Sequence, residues 1–420
     1  MKKGLLLSVV ASTMIFAGGD IAPVEPAAPA PAADCSDFYG SVGAYYQSND
    51  FDLDTDLADN DLFGKATANF DVVATIGVEK ELFAGIGFGA EASAWTRTSG
   101  NIAANHRVSN SATREDGSLT QMYLTGSFAN TAVKVGRFAI PGSLSPLLRT
   151  GTTAGVKDWT YDGVLVANTD IADTTVYGVW VYALHAHSGF NAGSDLKLND
   201  AAGDVAGAFA FGFQNKSIAN TTITAVGYYG KEFLGAATDM MAGAVNVDTV
   251  LGDYTINAQG TYIDKDAALG TATSTAGLKV STTYGDFDIM LAAAYRNDGT
   301  YATNLAGGNG SLIGDAIDFE FGGANAANEG YAVGAQIGYK VWKGRAYARA
   351  SYQDYKPATA STPLVLVTDN ITKITAGYTF KVAGIDFKAE GQYGMRNYNA
   401  GGVVADRKNA RVRLEAAYKF

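Results

Sequence analysis

Few side chains in this chain are spaced for catalysis. Its three histidines, His106, His185 and His187, all fall in segments that read as loops. His185-Ala186-His187 offers two imidazoles, but no nearby Cys or third His completes a zinc set, so two solvated histidines are the simpler reading. A hydrolase would need a strand-borne Ser and His with an orienting partner, and no His is placed that way. No enzyme is expected. Asp50, Asp52, Asp54 and Asp56 alternate along one stretch, with Asp59 and Asp61 close behind. Spaced carboxylates collect Ca²⁺, which takes ~6–8 oxygen ligands, and this is the sequence's candidate metal site. Thr55 stands where a calcium-loop turn requires Gly, so the competing reading is an acidic loop that attracts cations diffusely. No organic cofactor is expected. Cys35, the sole cysteine, cannot form an internal disulfide.

The elements that carry these residues show a period of two. Ala66, Ala68, Phe70, Val72, Ala74, Ile76 and Val78 alternate with Thr67, Asn69, Asp71, Val73, Thr75, Gly77 and Glu79. Such alternation marks a strand with one apolar and one wet face. The pattern recurs over Tyr254–Tyr262, Ala276–Tyr284, Phe287–Tyr295, Tyr331–Tyr339, Ile385–Tyr393 and Val412–Phe420. With 17% of residues charged, chance would place roughly six charges among these ~37 apolar-face positions, yet none occurs there and about thirteen lie opposite. A Lys or Arg facing lipid at mid-membrane costs about 2–4 kcal/mol, so strict exclusion is the mark of a lipid face. Aromatic residues often begin and end that face, as interfacial girdles do, and its middle is rich in Ala and Gly, thin for a soluble core.

Short and long connections alternate. Short turns fall near Lys80–Gly85, Ala129–Thr131, Thr169–Asp173, Asn215–Asn220, Leu251–Asp253, Gly285–Asp286, Val341–Gly344 and Lys381–Gly384, with longer segments between them. This predicts an all-β, transmembrane, antiparallel up-and-down barrel of about 18 strands, with 16 left open because the segments near 38–47, 174–184 and 221–231 are less cleanly patterned. Closure would remove the edges of so large a sheet.

The beginning of the chain reads as a signal peptide over residues 1–19, with Lys2 and Lys3, an apolar stretch from Leu5 to Phe16, and the small residues Ala17-Gly18-Gly19. That apolar stretch is too short to span a bilayer as a helix. Residues 20–36 read as a Pro/Ala-rich spacer and 37–420 as the barrel domain. The net charge of −11 argues against nucleic-acid binding, which needs a basic surface.

Tyr418 and Phe420 end the last alternating strand, and a terminal Phe in that setting resembles the assembly signal of bacterial outer-membrane proteins. Val133-Lys134-Val135-Gly136-Arg137, followed by Pro141, Pro146 and a long loop, resembles the strand before the pore-entering third loop of general and Opr-type porins. Val166-Ala167-Asn168-Thr169-Asp170 is similar to the major outer-membrane porins of campylobacter-like bacteria. The resemblance implies a Gram-negative outer-membrane porin, a homotrimer of barrels whose pores are narrowed by the third loop. Its partners would be outer-membrane lipid, lipopolysaccharide and the barrel-assembly machinery. The expected function is passive diffusion of ions and small hydrophilic solutes, with a structural or adhesive surface barrel as the alternative. Where many porins carry several carboxylates on the third loop, this one has the nearly balanced Arg149, Lys157 and Asp158.

Pore-lining charges are expected on the wet faces: Asp71, Glu91, Arg97, Lys279, Arg296, Arg349, Lys388, Glu390, Arg411, Arg413 and Glu415. Basic residues from the late strands should face Asp71 and Glu91 across the lumen and set a transverse field. The bland reading is local pairing along the wall. The third loop, with Pro141, Pro146, Leu147, Leu148 and Trp159, is more apolar than an exposed loop should be, which predicts packing inside the barrel; packing against a neighbouring subunit is the competing account.

Overall fold

A computed structural model of the chain describes residues 37–52, 62–63, 68–99, 115–153, 155–187, 195–198, 207–231, 239–265, 272–297, 329–355, 366–400 and 403–420. The signal, the spacer, Cys35, His106, Asp54 and Asp56 lie outside these residues. Eighteen strands form the wall. The first nine are β1 (Phe38–Asp52), β2 (Ala68–Phe83), β3 (Ile86–Ser99), β4 (Glu115–Phe128), β5 (Thr131–Phe138), β6 (Trp159–Asn168), β7 (Thr174–Ala186), β8 (Ala208–Asn215) and β9 (Thr221–Gly230). The rest are β10 (Met240–Leu251), β11 (Tyr254–Lys265), β12 (Thr273–Tyr284), β13 (Phe287–Arg296), β14 (Gly330–Val341), β15 (Gly344–Tyr355), β16 (Leu366–Val382), β17 (Ile385–Ala400) and β18 (Val403–Lys419).

Each strand pairs antiparallel with its sequence neighbours, and β1 pairs with β18 from Ser41↔Lys419 to Asp52↔Lys408. The seam is finished by two backbone bonds between Gly40 and Phe420, at 2.9 and 3.0 Å. A Cβ on Gly40 would lie 2.4 Å from the Thr75 carbonyl and 2.6 Å from the Phe420 ring, so the closure needs a glycine there. The molecule is a closed 18-strand antiparallel barrel, which settles the strand number.

The two faces separate as the alternation predicts. Leu291 and Val333 are 57% and 44% exposed on the outside, while their chain neighbours Ala292 and Ala332 are 6% and 0% exposed within. Aromatic rings bound the outer band, with Phe287 against Tyr339 at one level and Tyr295 against Tyr331 at the other. At ~3.3 Å per residue and a tilt of ~40°, eight residues rise about 20 Å, and the rings at either end extend this to the ~25 Å apolar band of such barrels.

All the short turns lie at one end, together with the first residue of β1 and the last of β18. Ala84-Gly85 and Ala383-Gly384 take positive φ at both residues, the primed turn whose twist suits a two-residue hairpin. The Val166–Asp170 segment earns its composition here. Asn168 Oδ1 accepts from the Asp170 backbone N–H at 2.9 Å, and Thr169 N donates to Asn130 O at 3.0 Å, joining two adjacent turns. Amides of Asn168 and Asn130 donate to the Asp170 carboxylate and hold it below the usual acidic range.

A guanidinium at the middle of the outer band tests this partition. Leu291→Arg should destabilise the barrel in lipid vesicles by about 2–4 kcal/mol, read as a lower urea midpoint. Met290→Arg, one residue along and facing inward, should leave the midpoint near wild type.

Candidate functional site

The wall opens inward after β5. Phe138 ends that strand, and the chain enters the lumen as a narrow hairpin before returning at Trp159. Thr150 N donates to Ile140 O at 2.8 Å and Asp158 N to Gly151 O at 2.9 Å, while Thr152–Thr153 pairs with Val156–Lys157. Phe138, Ile140, Leu147 and Leu148 are at most 1% exposed. They pack on inward residues of β7 to β11, among them Tyr177, Val181, Val226, Tyr228, Met240 and Ile263. Burying each aliphatic side chain of this kind contributes about 1.5–3 kcal/mol. Hydroxyls fix the register: Ser145 Oγ lies 3.0 Å from Tyr228 Oη, and Tyr177 donates to the Leu144 carbonyl.

The tip crosses to the opposite sector. Val156 joins Tyr45, Val73 and Trp95 of β1 to β3, and the Thr75 hydroxyl donates to Gly155 O at 3.3 Å. Gly155 has φ +84° and would bring a Cβ to 3.1 Å from Tyr45 Oη, so both conformation and clearance favour glycine. Lys157 forms a buried ion pair with Glu91. Glu91 also accepts from Tyr39 at 3.1 Å, Thr120 at 2.7 Å and Gln121 at 3.3 Å. The last two both face inward because the β3–β4 register shifts at Thr120, an extra residue in β4 that places consecutive donors on one face.

Tyr39 reaches Glu91 by lying across Gly77 on the intervening strand, in the row Tyr39↔Gly77↔Glu91; its ring occupies the space a Cβ at Gly77 would need. The same device recurs in Tyr123↔Gly89↔Glu79 and Tyr347↔Gly377↔Glu390, each ending in a hydroxyl–carboxylate hydrogen bond. Lys134 lies 4.0 Å from the Tyr123 ring centroid.

Where β5 stops short, polar groups close the wall. Arg137 donates to Asp162 at 3.0 Å and to the Leu119 carbonyl at 3.3 Å, and its third contact is His185 Nε2 at 2.9 Å. His185 also lies 2.8 Å from Asp162. His187 bridges Ser118 at 2.5 Å and Thr160 at 2.6 Å. The expectation that these histidines are solvated loop residues is corrected: His185 belongs to β7 and both are buried, at 5% and 2% exposure. Both ring nitrogens of His187 are committed to wall hydroxyls, and its backbone N–H donates to Asp158 O at 2.9 Å, next to Trp159 where the chain rejoins the wall.

The sector β12 to β18 is different. Its inward rows carry Lys279, Arg345, Arg349, Lys373, Lys388, Arg411 and Arg413. Arg349 grips Gln336 at 2.8 and 2.9 Å, Arg413 donates to Gln47 at 2.7 Å, and Arg345 pairs with Asp288 at 2.7 Å. Arg296 is fully buried at the end of β13, and Arg149 is buried with its carbonyl accepting from Tyr161 at 3.1 Å.

The two predicted acidic residues do not lie across the lumen from the cations of β17 and β18. Because β18 pairs with β1, Asp71 stands in the row Lys388↔Glu415↔Tyr45↔Asp71, three strands from Lys388. Arg97 is the backbone partner of Asp71. Glu91 is committed to Lys157 and three neutral donors. Among the predicted calcium residues, Asp50 and Asp52 end β1 rather than lie in a loop, and among the described residues no group of three metal-ligating side chains gathers. The Tyr–Gly–Glu rows and the histidine seam had no local signal, since each joins residues far apart in sequence.

The buried ion pair gives a direct test of the loop's anchor. Lys157→Met strands Glu91 without its cation and should cost about 3–5 kcal/mol, read as a lower urea midpoint and a noisier single-channel current. Adding Glu91→Gln should recover most of the loss, because the three neutral donors then meet a neutral acceptor.

No protein-family model matches the sequence, and a comparison with curated proteins finds no relative. Solved structures do resemble it. OccAB1 of Acinetobacter baumannii aligns with a TM-score of 0.63 at 16% identity, covering 92% of this chain and 97% of that one. A BenF-like porin from Pseudomonas fluorescens Pf-5 gives 0.67 at 14%, covering 91% and 98%. OpdK of Pseudomonas aeruginosa, solved with vanillate, gives 0.64 at 13%, covering 91% and 98%. At these identities the likeness is one of architecture: the chain has the fold of outer-membrane porin barrels.

Proposed function

We propose that this protein is a porin: a passive, water-filled channel for ions and small hydrophilic solutes in the outer membrane of a Gram-negative bacterium. The observation that carries the reading is the division of the lumen. The third loop fills the sector bounded by β1 to β11 with apolar and paired groups, while in the sector β12 to β18 Lys279, Arg349, Lys388, Arg411 and Arg413 line the inner wall and stay partly exposed. A pore wall of that kind attracts anions without holding them, because screening by lumenal water keeps the Coulomb term small.

On this reading the favoured solutes are small anions, carboxylates among them, and the vanillate in the OpdK structure is of that class. Export through the segment 1–19, assembly guided by Tyr418 and Phe420, contact with lipopolysaccharide, and trimerisation belong to the same proposal. So does kinship with the Opr-type and campylobacter-like porins, supported by the Val133–Arg137 and Val166–Asp170 segments. Cation attraction by the carboxylates from Asp50 onward is expected to be diffuse.

Charge reversal on the open wall tests it. In a salt gradient across a planar bilayer, Arg349→Glu and Arg413→Glu should each move the reversal potential toward cation selectivity. An unchanged potential in both would remove these side chains from the conducting path.

A further inference from the structure

Among the described carboxylates of the basic wall, Glu390 is the most deeply held. Glu390 on β17 has a side chain only 8% exposed, beneath Lys388 and Arg413, whose side chains are 33% and 23% exposed. Lys388 Nζ lies 3.0 Å from Oε2 and Arg413 Nη1 lies 3.9 Å from Oε1. Tyr347 donates to Oε2 at 2.6 Å from two strands away. It does so across Gly377, where a Cβ would sit 2.4 Å from the tyrosine ring. The tyrosine therefore fixes the carboxylate from one side while two cations close on it from the other.

Glu91 gives the comparison within the same molecule. It has the same tyrosine–glycine support, but its cation, Lys157, comes from the third loop and is buried with it, so that pair fastens the loop. The cations of Glu390 belong to the wall itself and remain partly open. Charge-assisted bonds from Lys, Arg and a phenol hydroxyl are the set that receives a carboxylate ligand, and here the chain's own carboxylate occupies it.

We infer that Glu390 is a selectivity residue of the channel: an internal counter-anion in a carboxylate site formed by Tyr347, Lys388 and Arg413. The inference rests on the porin reading and deepens it. A passing carboxylate meets Lys388 and Arg413 already half-neutralised, so it is attracted to the wall yet released from it. Removing the Glu390 charge should turn a weak relay point into a binding site.

Wild type, Glu390→Gln and Glu390→Ala are compared in planar bilayers, with heat-dependent gel mobility confirming folded barrels. Glu390→Gln should raise the chloride-over-potassium permeability ratio roughly twofold, the effect of one charge removed about 8 Å from the ion path in water once physiological salt screens it. Benzoate, the probe carboxylate, should reduce the current of Glu390→Gln at lower concentration than it does wild type. Glu390→Ala, which also leaves room in the site, should be the most sensitive to it. If wild type conducts but both variants keep its permeability ratio and its response to benzoate, the assignment of Glu390 is overturned and the porin reading stands. If folded wild type gives no open channels, the porin reading itself fails.

Discussion

In a hydrocarbon layer no water is available to the backbone, and every N–H and C=O must find its partner inside the protein. For a chain built of strands, this leaves one solution: the last strand must return to the first. The ladder from Ser41↔Lys419 to Asp52↔Lys408, finished by Gly40 and Phe420, meets that demand. Closure then dictates much else. It makes inside and outside strictly alternate along each strand, and it brings β18 beside β1 and β2. The basic residues of β17 and β18 thereby share rows with Tyr45, Gln47 and Asp71 instead of opposing them.

Closure creates a second problem, the filling of a wide lumen, and the chain treats its two halves differently. One half receives the third loop, held by aliphatic side chains at its base and by an ion pair at its tip. The other half stays lined with charge. Tyrosines laid across glycines recur in both parts, each carrying a hydroxyl over one strand to a carboxylate on the next. This use explains why a chain with 50 Gly and 23 Tyr need not be loosely packed: at Gly77, Gly89 and Gly377 the missing Cβ is replaced by a neighbour's ring.

Much of the architecture was legible because lipid imposes a rule on alternate residues. Segments such as Phe287–Tyr295 and Tyr331–Tyr339 announce both their strand and their outward face. The segments that blurred the count are instructive. They correspond to β1, β7 and β9, and each packs its inward face against the third loop, through Tyr45, through Tyr177 and Val181, and through Val226 and Tyr228. Apolar and aromatic residues on the inward face weaken the period of two, so the loop that narrows the lumen also hides the strands it rests on. The apolar character of the loop did point to its inward packing. The fate of individual charges was not legible, because Glu91 and Glu390 look alike in sequence and differ only in whether the cation that meets them comes from a loop or from the wall.

A porin of this design needs a water-filled path beside the third loop. Swelling of liposomes containing the purified barrel, in sugars and organic anions of increasing size, addresses it most directly. A narrowed but open pore should give rapid swelling with the smallest solutes and a steep loss as size increases. Liposomes that contain correctly folded barrels yet never swell, whatever the solute, would contradict the porin reading.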